Sequence, residues 1–361
     1  MKLVYMDHSA TTPVDPKVFQ VMSLYLQAEF GNPSSNHRMG RVARKAVEKA
    51  RENVARLINA SADEVIFTSG GTEADNLAIL GYMENFSSSG QNIITSAIEH
   101  HAVLDTIQHL GSRGYEVTIL PVNRYGMVEP ETLEKALKPN TVLVSMMHAS
   151  NEVGTIQPIK HLASIAHEVG AVFHTDAVQS VGRIPVDVKD LGVDMLSCSA
   201  HKFYGPKGVG CLYVKRGTLL TRRIYGGSQE QKLRTGTENV PGIVGFGVAA
   251  EIARESLGET MERLRRLEKT LSTSLKGLIP DVIFTGDPIK RLPGHVSMCF
   301  ESIAGSSALM MLDQAGIMAS GGSACNAGLA EPSHVLLALG IPHEATTGSI
   351  RLTLGRSTTE D

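Results

Sequence analysis

The sequence has no tryptophan and only four cysteines in 361 residues. Cys198, Cys211, Cys299 and Cys325 form no CxxC pair and no metal-ligand spacing, so neither a disulfide framework nor a metal site is predicted. The first three lie in apolar, strand-like runs and are predicted to be buried. Cys325 differs, because small residues surround it and predict a mobile loop over 319–328.

Charge is also nearly balanced, and long apolar runs are missing. The net charge of −3 and the lack of a long basic run argue against nucleic acid as the main ligand. The N-terminus has no apolar core typical of a signal peptide, and no stretch is long enough to cross a bilayer. We therefore expect a cytoplasmic protein without a membrane partner.

Helical and strand-like patterns alternate through most of the chain. A helix over 39–58, a strand over 65–68 and a helix over 71–80 open a series that ends with a strand over 212–214. This alternation predicts an α/β fold with a mostly parallel central sheet and helices on both faces. The loops after the strands then share one edge, where α/β proteins bind ligands.

The chain is predicted to form two domains. Residues 1–15 indicate an extended arm, and a break follows 234–241. A long charged helix over 259–278, further strands and short helices then predict a smaller α+β unit. We assign 16–250 to a large domain, and 1–15 with 251–361 to a small domain that carries the Cys325 loop.

Lys202 lies between two predicted strands, after a hydroxyl and an imidazole and before three glycines. An amine held in such a cleft has a lowered pKa and becomes a nucleophile, which is the setting of a lysine that forms a Schiff base with pyridoxal phosphate (PLP). A solvated lysine on a turn is the alternative. Other parts of the chain decide between them.

A phosphate site is predicted where Gly71 and Thr72 open a helix after a strand. Ser199 and His201, just before Lys202, add a hydroxyl and an imidazole to it. A simple helix cap is the alternative, and the acid Glu73 does not suit a phosphate at contact distance.

Asp176 ends an apolar strand and could pair with a protonated pyridine nitrogen, although a helix cap or a structural ion pair explains it equally well. Gln179 could donate to the phenolic oxygen of the ring, or lie on the surface. Asn151 follows another strand and suits the same oxygen or a substrate carboxylate.

Two cationic or basic side chains complete the set. His100 could stack on a pyridine ring and assist proton transfer, but the pattern does not choose between His100 and His101. Arg351 lies in an apolar strand and needs a partner, either a substrate carboxylate or a structural acid.

Taken together, these motifs resemble the cysteine desulfurases of the nitrogen-fixation and iron–sulfur-cluster type. These are PLP enzymes of the aspartate-aminotransferase fold, fold type I. The most specific stretches are Ser-Ala-His-Lys-Phe-Tyr-Gly-Pro-Lys-Gly-Val-Gly at 199–210, Arg-Thr-Gly-Thr-Glu-Asn at 234–239, and Gly-Ser-Ala-Cys at 322–325 followed by Glu-Pro-Ser-His at 331–334.

The resemblance implies a role for each candidate. Lys202 would bind PLP covalently, His100 would stack on its ring, and Asp176 would pair with its nitrogen. The remaining cofactor contacts would come from Gln179, Asn151, Gly71, Thr72, Ser199, His201 and, in the partner subunit's site, Thr237. Arg351 and Asn151 would hold the carboxylate of L-cysteine, and Cys325 would take its sulfur as a persulfide.

The predicted function is therefore conversion of L-cysteine to L-alanine, with sulfur passed to an iron–sulfur scaffold protein or another acceptor. A homodimer with shared active sites is implied. A selenocysteine lyase could keep every motif and differ only in substrate, whereas an aminotransferase needs no Cys325. A non-catalytic scaffold should have lost at least one of Lys202, Asp176, His100 and Cys325.

Overall fold

The computed structural model describes residues 3–86, 90–301, 303–322 and 332–360. Cys325 lies outside the described residues. The strands are β1 Val4–Tyr5, β2 Val65–Thr68, β3 Asn92–Ser96, β4 Glu116–Leu120, β5 Thr141–Met147, β6 Val172–Asp176, β7 Met195–Ser199, β8 Gly210–Val214, β9 Ile283–Phe284, β10 His295–Cys299, β11 Ile317–Met318 and β12 Ile350–Thr353. The helices are α1 Pro16–Gln27, α2 Arg38–Leu57, α3 Gly71–Met83, α4 His101–Ser112, α5 Pro130–Ala136, α6 Ile159–Glu168, α7 Val188–Leu191, α8 Val240–Leu278, α9 Gly305–Gln314, α10 His334–Ala338 and α11 His343–Thr346.

The main sheet has seven strands in the order β2-β8-β7-β6-β5-β3-β4. All neighbours pair in parallel except β8, which is antiparallel to both β2 and β7. The carboxyl ends of β2, β3, β5, β6 and β7 therefore lie along one edge, as the alternating pattern predicts. The α/β fold with a mostly parallel sheet is confirmed.

The strands are apolar because both faces of the sheet are covered. One core cluster contains Val144, Phe173 and Leu196 with apolar residues of α2, α6 and α8. A second packs Ile93 and Leu143 against α3 and α4 on the other side. Burial of these side chains stabilises the sheet, and the sheet holds the loops together at one edge.

A smaller unit follows the main sheet. Strands β9, β10 and β12 form an antiparallel sheet in the order β12-β10-β9, and β1 pairs in parallel with β11. The N-terminal arm also bridges this region, since Asp7 pairs with Thr353. The division into domains at residue 250 stays a prediction, because α8 runs continuously through that position.

The sequence pattern missed α1 and half of α8. Pro16 begins α1, and Asp15 caps it by accepting the Lys17 N–H. The helix predicted over 259–278 begins instead at Val240. Its first half was missed because the glycines there lower helix propensity, although packing needs them. A Cβ on Gly247 would lie 2.5 Å from the Ala50 Cα, so only glycine lets α8 approach α2 this closely.

Three of the predicted absences can be compared with the structure. Cys198, Cys211 and Cys299 are buried free thiols. Among the described residues, no helix is long and apolar enough to cross a membrane, and no cluster of His, Cys, Asp or Glu could hold a metal ion.

Candidate active site

A cavity of about 320 Å³ opens at the carboxyl ends of the parallel strands. Its lining includes every candidate site residue except Thr237 and Cys325: Gly71, Thr72, His100, Asn151, Asp176, Gln179, Ser199, His201, Lys202 and Arg351. Ser9, Ala10 and Asp75, which sequence reasoning did not select, also line it. Residues that are far apart in the chain thus share one chamber.

Lys202 reaches this cavity from the turn after β7. Its Nζ donates to the backbone carbonyls of Ser9 and Ala10, at 2.7 and 2.9 Å. The N-terminal arm therefore positions the amine through two backbone carbonyls. The arm is also held by the Thr12 hydroxyl, which donates to the His201 carbonyl at 3.0 Å.

The structure brings His100 to the cavity and directs His101 away from it. His100 caps α4, with its Nδ1 accepting the Ala102 N–H at 3.1 Å. Burial, together with nearby Lys202, lowers its pKa despite the attraction of Asp176. A neutral ring with Nδ1 as acceptor carries its proton on Nε2. His101 instead contacts Asp105, at 3.2 Å.

Asp176 lies buried at the end of β6, where its Oδ1 accepts the Val178 N–H at 2.9 Å. Burial raises its pKa, and the Val178 N–H and the positive charge of Lys202 oppose that rise. Asp75 is also buried, and its pKa is raised well above the usual range by burial and by Asp176. Two such carboxyls do not both ionise, so Asp176 keeps the negative charge and Asp75 the proton.

A chain of buried polar groups lies behind this pair. His174 Nδ1 bonds the Ser145 hydroxyl at 2.8 Å, and its Nε2 bonds the Ser197 hydroxyl at 3.0 Å and lies 3.7 Å from Asp75 Oδ1. Burial lowers the pKa of His174 to about 3, so its ring is neutral. Only the three-dimensional register of β5, β6 and β7 brings these side chains together.

Gln179 is held at both ends of its amide. Its Nε2 donates to the Ser9 carbonyl at 2.9 Å, and its Oε1 accepts from Arg183 Nη1 at 2.7 Å. An arginine can only donate, so this contact fixes which end of the amide is the oxygen. Gln179 is buried rather than on the surface, and its NH₂ group is the end available as a donor.

Gly71, Thr72, Ser199 and His201 form one end of the cavity. A Cβ on Gly71 would lie 2.6 Å from a Val178 methyl group, so glycine is required for this approach. Burial and the charges of Lys202 and Lys207 lower the pKa of His201 to about 4. Its Nδ1 contacts the Thr11 hydroxyl at 3.0 Å, which leaves Nε2 for another partner.

Arg351 pairs with a structural acid, which is one of the two kinds of partner that its sequence context allowed. Nη2 is 2.8 Å from Asp7 Oδ1, while Nη1 donates to the Asn151 carbonyl at 2.9 Å. The buried Nε has no partner among the described residues. Arg351 therefore forms a structural ion pair with Asp7 and still lines the cavity.

Glu99 is a buried acid next to His100 that the sequence pattern did not single out. Its Oε1 accepts from the Ser96 hydroxyl and from the Met147 N–H, at 3.0 Å for the latter. Burial raises its pKa to about 8, against those two hydrogen bonds, so the carboxyl is mostly protonated at neutral pH. The signal that could have indicated Glu99 is its position as an acid shortly after an apolar strand.

Glu99→Gln should therefore change how stability depends on pH. The raised pKa means that the wild type loses stability as pH rises from the usual carboxyl pKa to about 8, whereas glutamine cannot ionise. We expect the free energy of unfolding of the variant, relative to that of the wild type, to rise with pH over this range, by at most roughly 1.4 kcal/mol per pH unit. Denaturant unfolding across it measures the difference. Exposed Glu344→Gln is the control, and a Glu99→Gln difference that stays constant with pH contradicts the assignment.

Thr237 is exposed and does not line the cavity of its own chain. Its predicted contact with a partner subunit stays a prediction. Cys325 lies outside the described residues, so its predicted role also stays a prediction. The described residues on either side, Gly322 and Ser333, lie near the buried carboxylate of Glu152, which accepts from the Ser333 hydroxyl.

The residues present fit the cofactor that the sequence resemblance implies. The chamber offers an amine at Lys202, a buried carboxylate at Asp176 and an amide donor at Gln179. At its other end are the N-terminus of α3 and the hydroxyls of Thr72 and Ser199. These are the groups that an aldehyde, a pyridinium nitrogen, a phenolate and a phosphate require.

Comparison with known proteins agrees with this chemistry. The family model described as "Aminotransferase class-V" matches residues 4–361. A protein named "Cysteine desulfurase IscS" from Dictyoglomus turgidum is 51% identical over 358 residues, which is 99% of this chain and 91% of that protein. A solved "NifS-like protein" superposes with a TM-score of 0.94 at 40% identity, covering 99% of this chain and 95% of the other. A structure titled "SspA in complex with cysteine" has a TM-score of 0.86 at 35% identity, covering 97% and 98%.

Proposed function

The chain belongs to the class-V aminotransferase family, and we propose that within it the protein is a PLP-dependent cysteine desulfurase. It converts L-cysteine to L-alanine and supplies the sulfur for iron–sulfur cluster assembly or thiolation. The observation that carries this proposal is the cavity in which Lys202, His100 and Asp176 meet. Similarity to cysteine desulfurases over nearly the whole chain gives the substrate class.

Each end of the cavity would hold one part of the cofactor. Lys202 would bind PLP covalently, Asp176 would pair with the ring nitrogen, and Gln179 would donate to the phenolic oxygen. Gly71, Thr72, Ser199 and His201 would contact the phosphate, with Asn151 close to the ring. PLP, when bound, supplies an electron sink that accepts electrons released at the substrate Cα.

Lys202 is the group we assign to proton transfer, and His100 is placed beside it in the cavity. The Lys202 amine is the base we assign to the substrate Cα, because no other lysine among the described residues lines the cavity. His100 is neutral and carries a proton on Nε2, which suits it to stack on the ring and to donate a hydrogen bond there. The negative charge of Asp176 would stabilise a proton on the ring nitrogen.

Arg351 and Asn151 would hold the substrate carboxylate. The guanidinium is already oriented by Asp7 and by the Asn151 carbonyl, so binding needs little further ordering of this side chain. Nη2 pairs with Asp7, and Nη1 donates to the carbonyls of Asn151 and Gly322. The buried Nε has no partner among the described residues and is the N–H we assign to the substrate carboxylate. Asp7 is thus a residue of the arm that positions Arg351.

Cys325 is assigned the sulfur-transfer step from its sequence motif. Its thiolate attacks the substrate Sγ, an S–S bond forms, and the substrate Cβ–Sγ bond breaks. The electron pair of the broken bond stays with Cβ, which takes a proton and becomes the methyl group of alanine. The products are alanine and a persulfide on Cys325, which an acceptor protein then removes.

A homodimer also belongs to the proposal. Phe19 and Leu26 of α1 and nearby Phe30 are more than 60% exposed, as is Tyr225 in the segment that leads to Thr237. Exposed aromatic and aliphatic side chains of this size are typical of a protein interface. Thr237 would then reach the phosphate in the partner subunit's site.

The acceptor is proposed to be an iron–sulfur scaffold protein or a similar persulfide carrier in the cytoplasm. Cys198 and Cys211 face each other across β7 and β8 and are free thiols, which suits a reducing compartment. No nucleic acid is expected in the complex, given the net charge of −3.

Turnover of two amino acids tests the proposal. Purified protein is incubated with L-cysteine or L-selenocysteine and a thiol reductant, and alanine is quantified alongside sulfide or selenide. We expect equimolar alanine and sulfide from L-cysteine. Turnover of L-selenocysteine alone would make the protein a selenocysteine lyase. Bound PLP without either reaction would indicate another substrate, and a protein without PLP would be a binding scaffold.

A further inference from the structure

A carboxylate lies at the turn proposed to hold the cofactor phosphate. Glu73 is in the first turn of α3, and its Oε2 accepts the Ser69 N–H at 2.7 Å. Burial opposes its ionisation, but the hydrogen bonds from Ser69 and Arg234 lower its pKa overall. Glu73 is therefore charged at neutral pH, and a negative charge beside a phosphate weakens binding unless a cation offsets it.

Arg234 supplies that cation. Its Nε lies 3.0 Å from Glu73 Oε1, and the exposed fractions of the two side chains are 26% and 19%. Glu73 thus uses one oxygen to close the turn through Ser69 and the other to bind Arg234. Gly71 and Thr72, which follow Ser69 in the turn, line the cavity.

The segment that carries Arg234 is fixed to the same strand that leads into the turn. The Glu230 carboxylate binds Arg51 through two contacts of 2.7 Å and accepts the Phe67 N–H of β2 at 2.7 Å. Arg51 also donates to the Val65 carbonyl at 2.8 Å. Both charged side chains are buried, so this anchor is rigid and fully hydrogen-bonded.

The contacts of Glu230 stabilise a backbone conformation that is otherwise unfavourable. Glu230, Gln231 and Lys232 have φ values of 42°, 56° and 67°, in the left-handed region that non-glycine residues seldom adopt. Such conformations persist where surrounding contacts over-determine them, and they cluster at functional sites. Here they aim the chain so that Arg234 reaches Glu73, three residues before Thr237.

We propose that Arg234 is a positioning residue that neutralises Glu73, so that the turn from Ser69 to Thr72 binds the cofactor phosphate tightly. This inference rests on the proposed function, since PLP is the ligand. Arg234 acts through Glu73 and not on the phosphate directly. Its removal therefore harms binding only while Glu73 keeps its charge.

Equilibrium dialysis of the holoenzyme against a series of PLP concentrations tests the proposal. Arg234→Gln should weaken PLP binding by about tenfold, the loss expected for a partly buried charge pair. Glu73→Gln should bind PLP at least as tightly as the wild type. The double variant should recover to within about threefold of the wild type, and Arg234→Lys should keep most of the affinity.

A matched control is available at the other end of the same helix. Arg223 pairs with Glu84 at the C-terminus of α3, so Arg223→Gln breaks a similar ion pair away from the phosphate turn. We expect its PLP affinity to be unchanged. Sedimentation of every variant reports whether the assembly is intact, and inorganic phosphate as a competitor reports on the turn alone.

Two results would overturn the inference without touching the proposed function. One is a wild type that binds PLP and an Arg234→Gln variant that binds it equally well. The other is a double variant as weak as Arg234→Gln alone, which would mean that Arg234 acts through something other than the Glu73 charge. A wild type that binds no PLP at all would overturn both proposals.

Discussion

Replacement of Lys202 by alanine is expected to abolish both the near-visible absorbance of lysine-bound PLP and the release of alanine from L-cysteine. Lys202 Nζ is positioned by the Ser9 and Ala10 carbonyls, and no other described lysine lines the cavity. Loss of a positioned base alone lowers turnover by about 10²- to 10⁴-fold, and loss of the covalent attachment adds to this. Absorbance spectra and alanine assays measure the two effects.

Lys207→Ala is the control for this experiment. Lys207 is exposed and lies five residues further along the same turn. We expect its spectrum and its turnover to match the wild type. A Lys202→Ala variant that keeps the absorbance band, or turns over L-cysteine at more than about one hundredth of the wild-type rate, contradicts the assignment.

Cys325→Ser should separate cofactor binding from sulfur transfer. The variant keeps every described residue of the cavity, so its PLP absorbance should equal that of the wild type. A serine hydroxyl stays protonated and cannot accept sulfur as a thiolate does, so sulfide release in the presence of a reductant should fall by at least about 10²-fold.

The buried cysteines provide the comparison. Cys299 lies in β10 and is fully buried, and burial raises the pKa of its thiol to about 12. It is therefore protonated and inert, so Cys299→Ala should release sulfide at the wild-type rate. Wild-type sulfide release by Cys325→Ser would remove Cys325 from the mechanism.

Most of the fold follows from local patterns. The strand over 65–68 and the helices after it were predicted within a few residues, because their apolar spacing is regular. The first half of α8 was missed because Gly242, Gly245 and Gly247 weaken the helical pattern. Gly247 permits a crossing with α2, and Gly245 a close approach to Met22 of α1, and both contacts exist only in the folded molecule.

Some residues of the site could also be predicted from local patterns, and others could not. Lys202 and Asp176 could be predicted because each follows an apolar strand, and parallel strands bring such residues to one edge. Asp75 and Arg183 could not, since their importance depends on contacts with Asp176 and Gln179. Similarly, Glu73 looked unfavourable for a phosphate until the structure placed Arg234 against it.

The central claim is that sulfur passes from L-cysteine to Cys325. Intact mass of the wild type and of Cys325→Ser, measured after L-cysteine without a reductant and with alanine assayed alongside, tests it most directly. The account predicts the mass of one added sulfur on the wild type only, matched by one alanine per subunit. Alanine formed by both proteins at equal rates, with no sulfur added to either, would contradict it.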